Sequence, residues 1–231
     1  MTATINQNIA LLRKQISSAE QRYQRNSGSV QLIAVSKTQP ATKLLEAYNA
    51  GQRLFGENYL QEALDKITEL KLPDIEWHFI GPIQSNKTRA IATHFDWVHS
   101  VDRLKVARRL NEQRPDELAP LNICLQINIS AEDSKSGASA NEALVLANQI
   151  SKLPRLALRG LMAIPSHSDN VIEQRKTFSA MRQLFQTLNE TLPIQLDTLS
   201  MGMSGDMDAA IAEGTTMVRI GTGIFGARQT P

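Results

Sequence analysis

Residues Val30–Ser36 read VQLIAVS and run directly into Lys37. The segment is apolar on both faces, as a strand buried in a parallel sheet must be. Further candidate strands follow, most of them also apolar on both faces: RLFGEN from Arg53, EWHFIG from Glu76, DWVHSV from Asp96 and LNICLQIN from Leu121. ALRGLMAI from Ala157, DTLS from Asp197 and TMVRIG from Thr216 bring the strands to eight. Helical patterns separate them, among others at Ala41–Ala50, Tyr59–Leu70, Arg103–Gln113, Asn141–Lys152 and Val171–Leu188. Thr42, Ser85, Asp102 and Asp169 are expected to cap helices, being short polar residues able to accept the first free amide hydrogens. Eight βα repeats without a Gly/Ser-rich linker predict a single (β/α)8 barrel of the TIM type. The alternative, an open doubly wound sheet, usually has fewer strands and a Gly-rich first turn, which does not occur here.

Ahead of the first strand, Ile5, Ile9, Leu12, Ile16, Ala19 and Tyr23 recur at spacings of four and three. That is the packed face of a helix, expected over about residues 3–25. The tail after the last strand, TGIFGARQTP, is too short for a long helix, so this first helix is expected to cover that side of the barrel. The 231 residues are read as one domain.

Bulk composition excludes several function classes. Lys+Arg number 25 against 23 Asp+Glu, interspersed along the chain, so no basic field argues for nucleic acid. No apolar stretch is long enough to span a bilayer. The single cysteine, Cys124, sits mid-strand in LNICLQIN; it reads as a core residue and fits a reducing, cytoplasmic setting. The histidines have no metal-ligand spacing, so no metal is expected.

In such a barrel the chemistry collects at the C-terminal strand ends. Ile33, Val35 and Lys37 share one face, so an inward Val35 carries the lysine inward too. A lysine in an apolar mouth loses hydration, which lowers its pKa and frees the amine to attack a carbonyl. The competing reading is a lysine that snorkels to solvent. The seventh strand runs into SMGMSGD and the eighth into GTGIFG, the two loops that usually bind phosphate in this fold. Gly202, Gly205, Gly221 and Gly223 permit close backbone approach, while Ser200, Ser204 and Thr222 supply hydroxyls; two tight turns closing a barrel would look similar. Arg219 shares a face with Gly221, and a buried arginine needs an acceptor, such as a heterocyclic nitrogen. Asn58 could reach a ring hydroxyl or cap a turn. His78 could line the mouth or sit hydrogen-bonded in the core.

Together AVSKTQP around Lys37, GENYLQE, WHFIGPIQSNK, INISAEDSKSG, LRGLMAI, LSMGMSGDMDAAI and VRIGTGIFG resemble the YggS/PROSC family of pyridoxal phosphate homeostasis proteins, over Val30 to Gly226. Ile83, where leucine is frequent, is a conservative departure. The resemblance implies a barrel like the N-terminal domain of alanine racemase, of the fold-type III kind, with pyridoxal 5′-phosphate (PLP) held as a Schiff base on Lys37. Ser200, Gly221 and Thr222 match phosphate-binding positions, Arg219 the ring-nitrogen partner, and Asn58 is the candidate for the ring hydroxyl. The implied function is non-catalytic: intracellular PLP (vitamin B6) homeostasis by a cytoplasmic monomer, with apo PLP-dependent enzymes as candidate recipients.

Two observations favour the absence of turnover. The guanidinium that the resemblance places at the ring nitrogen would keep that nitrogen unprotonated and make the cofactor a poor electron sink. A racemase of this type also needs a second, β-rich domain that supplies a tyrosine, whereas this chain ends soon after the eighth strand and its tyrosines, Tyr23, Tyr48 and Tyr59, sit elsewhere. The alternatives are a PLP enzyme acting on an amino acid and a class I aldolase-like barrel, for which Glu57 is the available acid/base. Lys135, in the SKSG loop after the fifth strand, is a further candidate PLP contact.

Overall fold

Strand β1 (Gln31–Val35) pairs in parallel with β2 (Leu54–Glu57) on one side and with the last strand, β8 (Met217–Ile220), on the other. Between them run β3 (Glu76–Phe79), β4 (Trp97–Val101), β5 (Leu121–Gln126), β6 (Leu156–Met162) and β7 (Thr198–Ser200), and the sheet closes in sequence order. The computed structural model describes residues 3–130 and 136–226; Lys135 lies outside them.

Alternation along each strand divides its residues between two environments. Ile33, Trp97, Cys124, Met162 and Met217 pack together in the barrel's interior. Ala34, Phe55, Phe79, Val98 and Val218 point outward and form the larger core beneath the helices. Cys124 is fully buried, and burial pushes its thiol up to about 12, which makes it an inert core residue as its strand position predicts.

The helical layer comprises α1 (Ile5–Arg22), α2 (Ala41–Asn49), α3 (Leu60–Leu70), α4 (Thr88–His94), α5 (Leu104–Gln113), α6 (Ala140–Ile150), α7 (Val171–Thr191), and the short α8 (Met207–Ala212) and α9 (Thr222–Phe225). Helix α1 buries the expected stripe of Ile5, Ile9, Leu12, Ile16 and Ala19 and packs against α2, α8 and α9, covering that side of the barrel as expected. Asn8 donates to the Ile224 carbonyl of α9 at 2.9 Å. No described helix is long and apolar enough to cross a membrane.

None of the four expected caps acts as one. Thr42 lies inside α2, which begins after Pro40 without a side-chain cap. Ser85 contributes only its carbonyl, to Thr88. Asp102 pairs with Arg103 instead. At α7 the adjacent Asn170 accepts from the Ile172 amide in place of Asp169. Thr4 with Gln7 and Ser139 with Glu142 form reciprocal capping boxes, which satisfy two free donors at once at the starts of α1 and α6.

Candidate functional site

A cavity of about 270 Å³ opens at the C-terminal ends of β1, β2 and β8. Lys37, Asn58, Arg219, Gly221 and Thr222 all line it. Strand parity accounts for this convergence: Ile33 pairs with Arg219 in the β1–β8 ladder and lies inside the barrel, and Val35 reaches the cavity two residues further on. Gly221 lies against Val35 so closely that a Cβ there would sit 3.2 Å from the Val35 carbonyl oxygen. Ser204 and Gly205 from the loop after β7 complete that wall, which thus combines hydroxyl groups with approachable backbone.

Asn58 follows β2, and Gly81 permits its position: a Cβ on residue 81 would lie 2.1 Å from the Asn58 carbonyl oxygen. The Asn58 Oδ1 atom is buried without a hydrogen-bond partner in the protein. An orphaned polar atom in a cavity wall is costly unless a ligand satisfies it. Gln39, Ile80, Ile164 and Met203 also line the cavity, and sequence reading had not singled them out for it.

Ser200 is brought elsewhere. It is fully buried, does not line the cavity, and accepts from Arg219 Nη1 at 2.7 Å through Oγ. Arg219 Nη2 donates to the Ala163 carbonyl at 3.0 Å. Both partners are neutral, and burial lowers the guanidinium pKa to about 10, so it stays charged at neutral pH.

Arginine can only donate, so the Ser200 hydroxyl accepts from Arg219 and keeps its own hydrogen and one lone pair. His99 Nδ1 lies 2.8 Å from that hydroxyl, and His99 Nε2 lies 2.9 Å from His78 Nδ1. His78 Nε2 in turn lies 3.0 Å from Glu76 Oε1 at the opposite end of the barrel. Burial holds the His99 pKa well below its ordinary value, reinforced by His78 and the Arg219 charge, so the ring stays neutral. His78 is thus the hydrogen-bonded core histidine. Extending alternation through β3 and β4 would have placed both rings inside the barrel.

Glu57 has no place at the mouth. Gly56 faces the interior, against Ile33, Val35 and Ile80, so Glu57 lies on the outer face and pairs with Lys66 of α3 at 2.7 Å. This removes the carboxylate that an aldolase-like reading needs. Lys37 and Arg219 are the titratable side chains among the described lining residues. Tyr59 is exposed beside the mouth, and Tyr23 and Tyr48 are bonded to Asp208 and Asp74 on the helical exterior.

The family model described as alanine racemase, N-terminal domain, matches residues 6–229. A protein of Haemophilus influenzae named pyridoxal phosphate homeostasis protein is 56% identical over 227 residues, covering 97% of this chain and 96% of the relative. The chain is a member of this family. PipY of Synechococcus elongatus PCC7942, solved with PLP bound, superposes with a TM-score of 0.86 at 40% identity, covering 96% of this chain and all of that one. Alanine racemase of Corynebacterium glutamicum, at 16% identity and a TM-score of 0.71 over 93% of this chain and 60% of that one, shares the fold.

Proposed function

We propose that this chain binds PLP at the barrel mouth and serves cytoplasmic vitamin B6 homeostasis as a carrier without turnover, α1 and the barrel acting as one unit. The observation that carries this reading is the convergence, in one cavity, of Lys37, the orphaned Asn58 Oδ1 and an Arg219 whose hydrogen-bond partners are neutral. Lys37 would hold the cofactor covalently through its aldehyde, as a Schiff base. Arg219 would donate to the ring nitrogen, Asn58 would accept from the ring hydroxyl, and Thr222, Gly221 and Ser204 would hold the phosphate. Ser200 enters as the support of Arg219 rather than as a phosphate donor.

Bound PLP supplies an electron sink, and the side chains around it restrain that chemistry. A charged donor at the ring nitrogen keeps the nitrogen unprotonated. No second acid/base stands opposite Lys37 among the described lining residues, and such a group typically contributes roughly 10²–10⁴-fold to rate. Apo PLP-dependent enzymes are the proposed recipients, and a monomer the proposed state.

Borohydride reduction of the PLP-loaded protein, followed by peptide mapping, should place the cofactor mass on the peptide containing Lys37; recovery mainly on Lys87 or Lys135 would overturn the assignment. The same preparation, incubated with L-amino acids in heavy water, should show no turnover approaching roughly 1 s⁻¹.

A further inference from the structure

The residues on either side of Lys37 are gripped by charges that lie behind the cavity wall. After β1, Ser36–Gln39 forms a turn closed by the Gln39 amide donating to the Ser36 carbonyl at 3.1 Å, with Lys37 and Thr38 at its centre. Thr38 has φ 62, a left-handed conformation that disfavours a β-branched residue. A turn of this kind persists only where its surroundings over-determine it.

Lys66, on α3, provides the anchor. It is 4% exposed, and its ammonium donates to the Ser36 carbonyl at 2.7 Å, to Glu57 Oε1 at 2.7 Å and to Glu62 Oε1 at 2.6 Å. Those are three donors with three acceptors, a full complement for lysine. The two carboxylates then reach the turn themselves. Glu57 Oε1 accepts from the Ser36 hydroxyl at 2.6 Å, and Glu62 Oε1 accepts from the Thr38 amide at 2.6 Å. Ser36 is thus held at its hydroxyl and carbonyl, and Thr38 at its amide.

Attaching α3 to the barrel does not require this arrangement. A buried ion pair is weak evidence for stability, and an apolar residue of similar volume often serves as well. An apolar residue could not bond the groups flanking Lys37. None of the three charged residues lines the cavity, so they act on it only through the turn. We infer that Lys66, with Glu57 and Glu62, positions Lys37, fixing the backbone from which its amine is aimed. The inference rests on the proposed role of Lys37.

The test uses the full-length chain without cofactor, then with it. Glu62 is partly exposed, so Glu62→Ala removes one arm of the grip with the fold intact, while Glu62→Gln keeps an acceptor for the Thr38 amide. Lys66→Met removes the anchor. In the apo protein, Glu62→Ala and Lys66→Met should speed hydrogen exchange at the Thr38 amide roughly ten-fold or more, and change the rate at which trinitrobenzenesulfonate labels Lys37. The PLP dissociation constant should rise by about ten-fold, as expected for losing a hydrogen bond to a charged group, and Glu62→Gln should recover most of the loss. If Lys66→Met fails to fold, the Glu62 pair decides. Unchanged Thr38 exchange, or unchanged Lys37 labelling and PLP affinity in Glu62→Ala, would overturn the positioning role. Cofactor mapped away from Lys37 in the wild type would instead overturn the cofactor reading, while Thr38 exchange and Lys37 labelling in the apo protein still decide the grip.

Discussion

Two arginines lie in the barrel, one toward each end, and their partners differ in kind. Arg159, at the N-terminal end, meets Asp197 through Nε at 3.0 Å and Nη2 at 2.5 Å, donates to Asn122 Oδ1 at 2.8 Å, and lies 5.0 Å from the Trp97 ring centre. The Asp197 hydrogen bonds raise its pKa. Arg219, facing the mouth, bonds a hydroxyl and a carbonyl, and burial lowers its pKa to about 10. A carboxylate neutralises the first cation where it stands, so that end is closed chemically. The second is hydrogen-bonded to neutral acceptors and meets a carboxylate, that of Asp206, only through space.

The comparison is most exposed to failure at Arg219. Arg219→Met should weaken PLP binding by roughly ten-fold or more, since a hydrogen bond involving a charged group contributes about 1.5–3 kcal/mol. The apo fold should lose little stability, because an apolar residue replaces a desolvated cation. Equilibrium dialysis and thermal melts read the two effects separately, and a large loss of melting temperature with intact affinity would make Arg219 a structural residue.

Thr222→Val and Ser204→Ala test the neighbouring wall, each expected to raise the dissociation constant by up to about ten-fold. Ser200→Ala should act differently, altering the absorption spectrum of bound PLP through Arg219 more than phosphate affinity. If Ser200→Ala matched Thr222→Val in phosphate-competition titrations, Ser200 would be a direct donor after all.

His99 joins the two ends, and its titration has a definite sign. Its folded pKa lies well below the ordinary 6.5, so below pH 6.5 the unfolded chain binds a proton that the folded chain refuses. The His99 contribution to stability is therefore lost as pH falls from about 6.5 toward the folded pKa, at a slope approaching 1.4 kcal/mol per pH unit. Urea titrations of the apo protein at several pH values should show this slope reduced in His99→Gln. Equal slopes would mean that the ring is protonated in place.

The smallest effect belongs to Arg159→Met. Its partner Asp197 is substantially exposed, so the loss should be about 1 kcal/mol or less, with PLP affinity unchanged. A matching loss of affinity would erase the distinction between the ends.

The strands were legible because most are local apolar runs, and two-residue alternation carries side-chain direction with it; β7, only Thr198–Ser200, is the exception. Val35 therefore predicted the side of Lys37, and Gly221 that of Arg219. Helix starts were less legible: TINQ at Thr4 and SANE at Ser139 carry the capping-box pattern, whereas a lone short polar residue near a helix start does not say whether its side chain turns back to an amide.

By itself, then, the sequence determined which residues form strands, which of them face inward, and the family to which the pattern belongs, all consequences of contacts within a few residues. Tertiary structure alone decided depth and partnership. Ser200 has the inward parity expected of a ligand-facing residue, yet its level along the barrel axis depends on how β7 is staggered against β6 and β8, and there Arg219 covers it. Likewise Lys66 reads as an ordinary helix lysine four residues after Glu62. Only the seating of α3 over β2 brings its ammonium to the Ser36 carbonyl, thirty residues away in the chain, a distance across which no local pattern carries information.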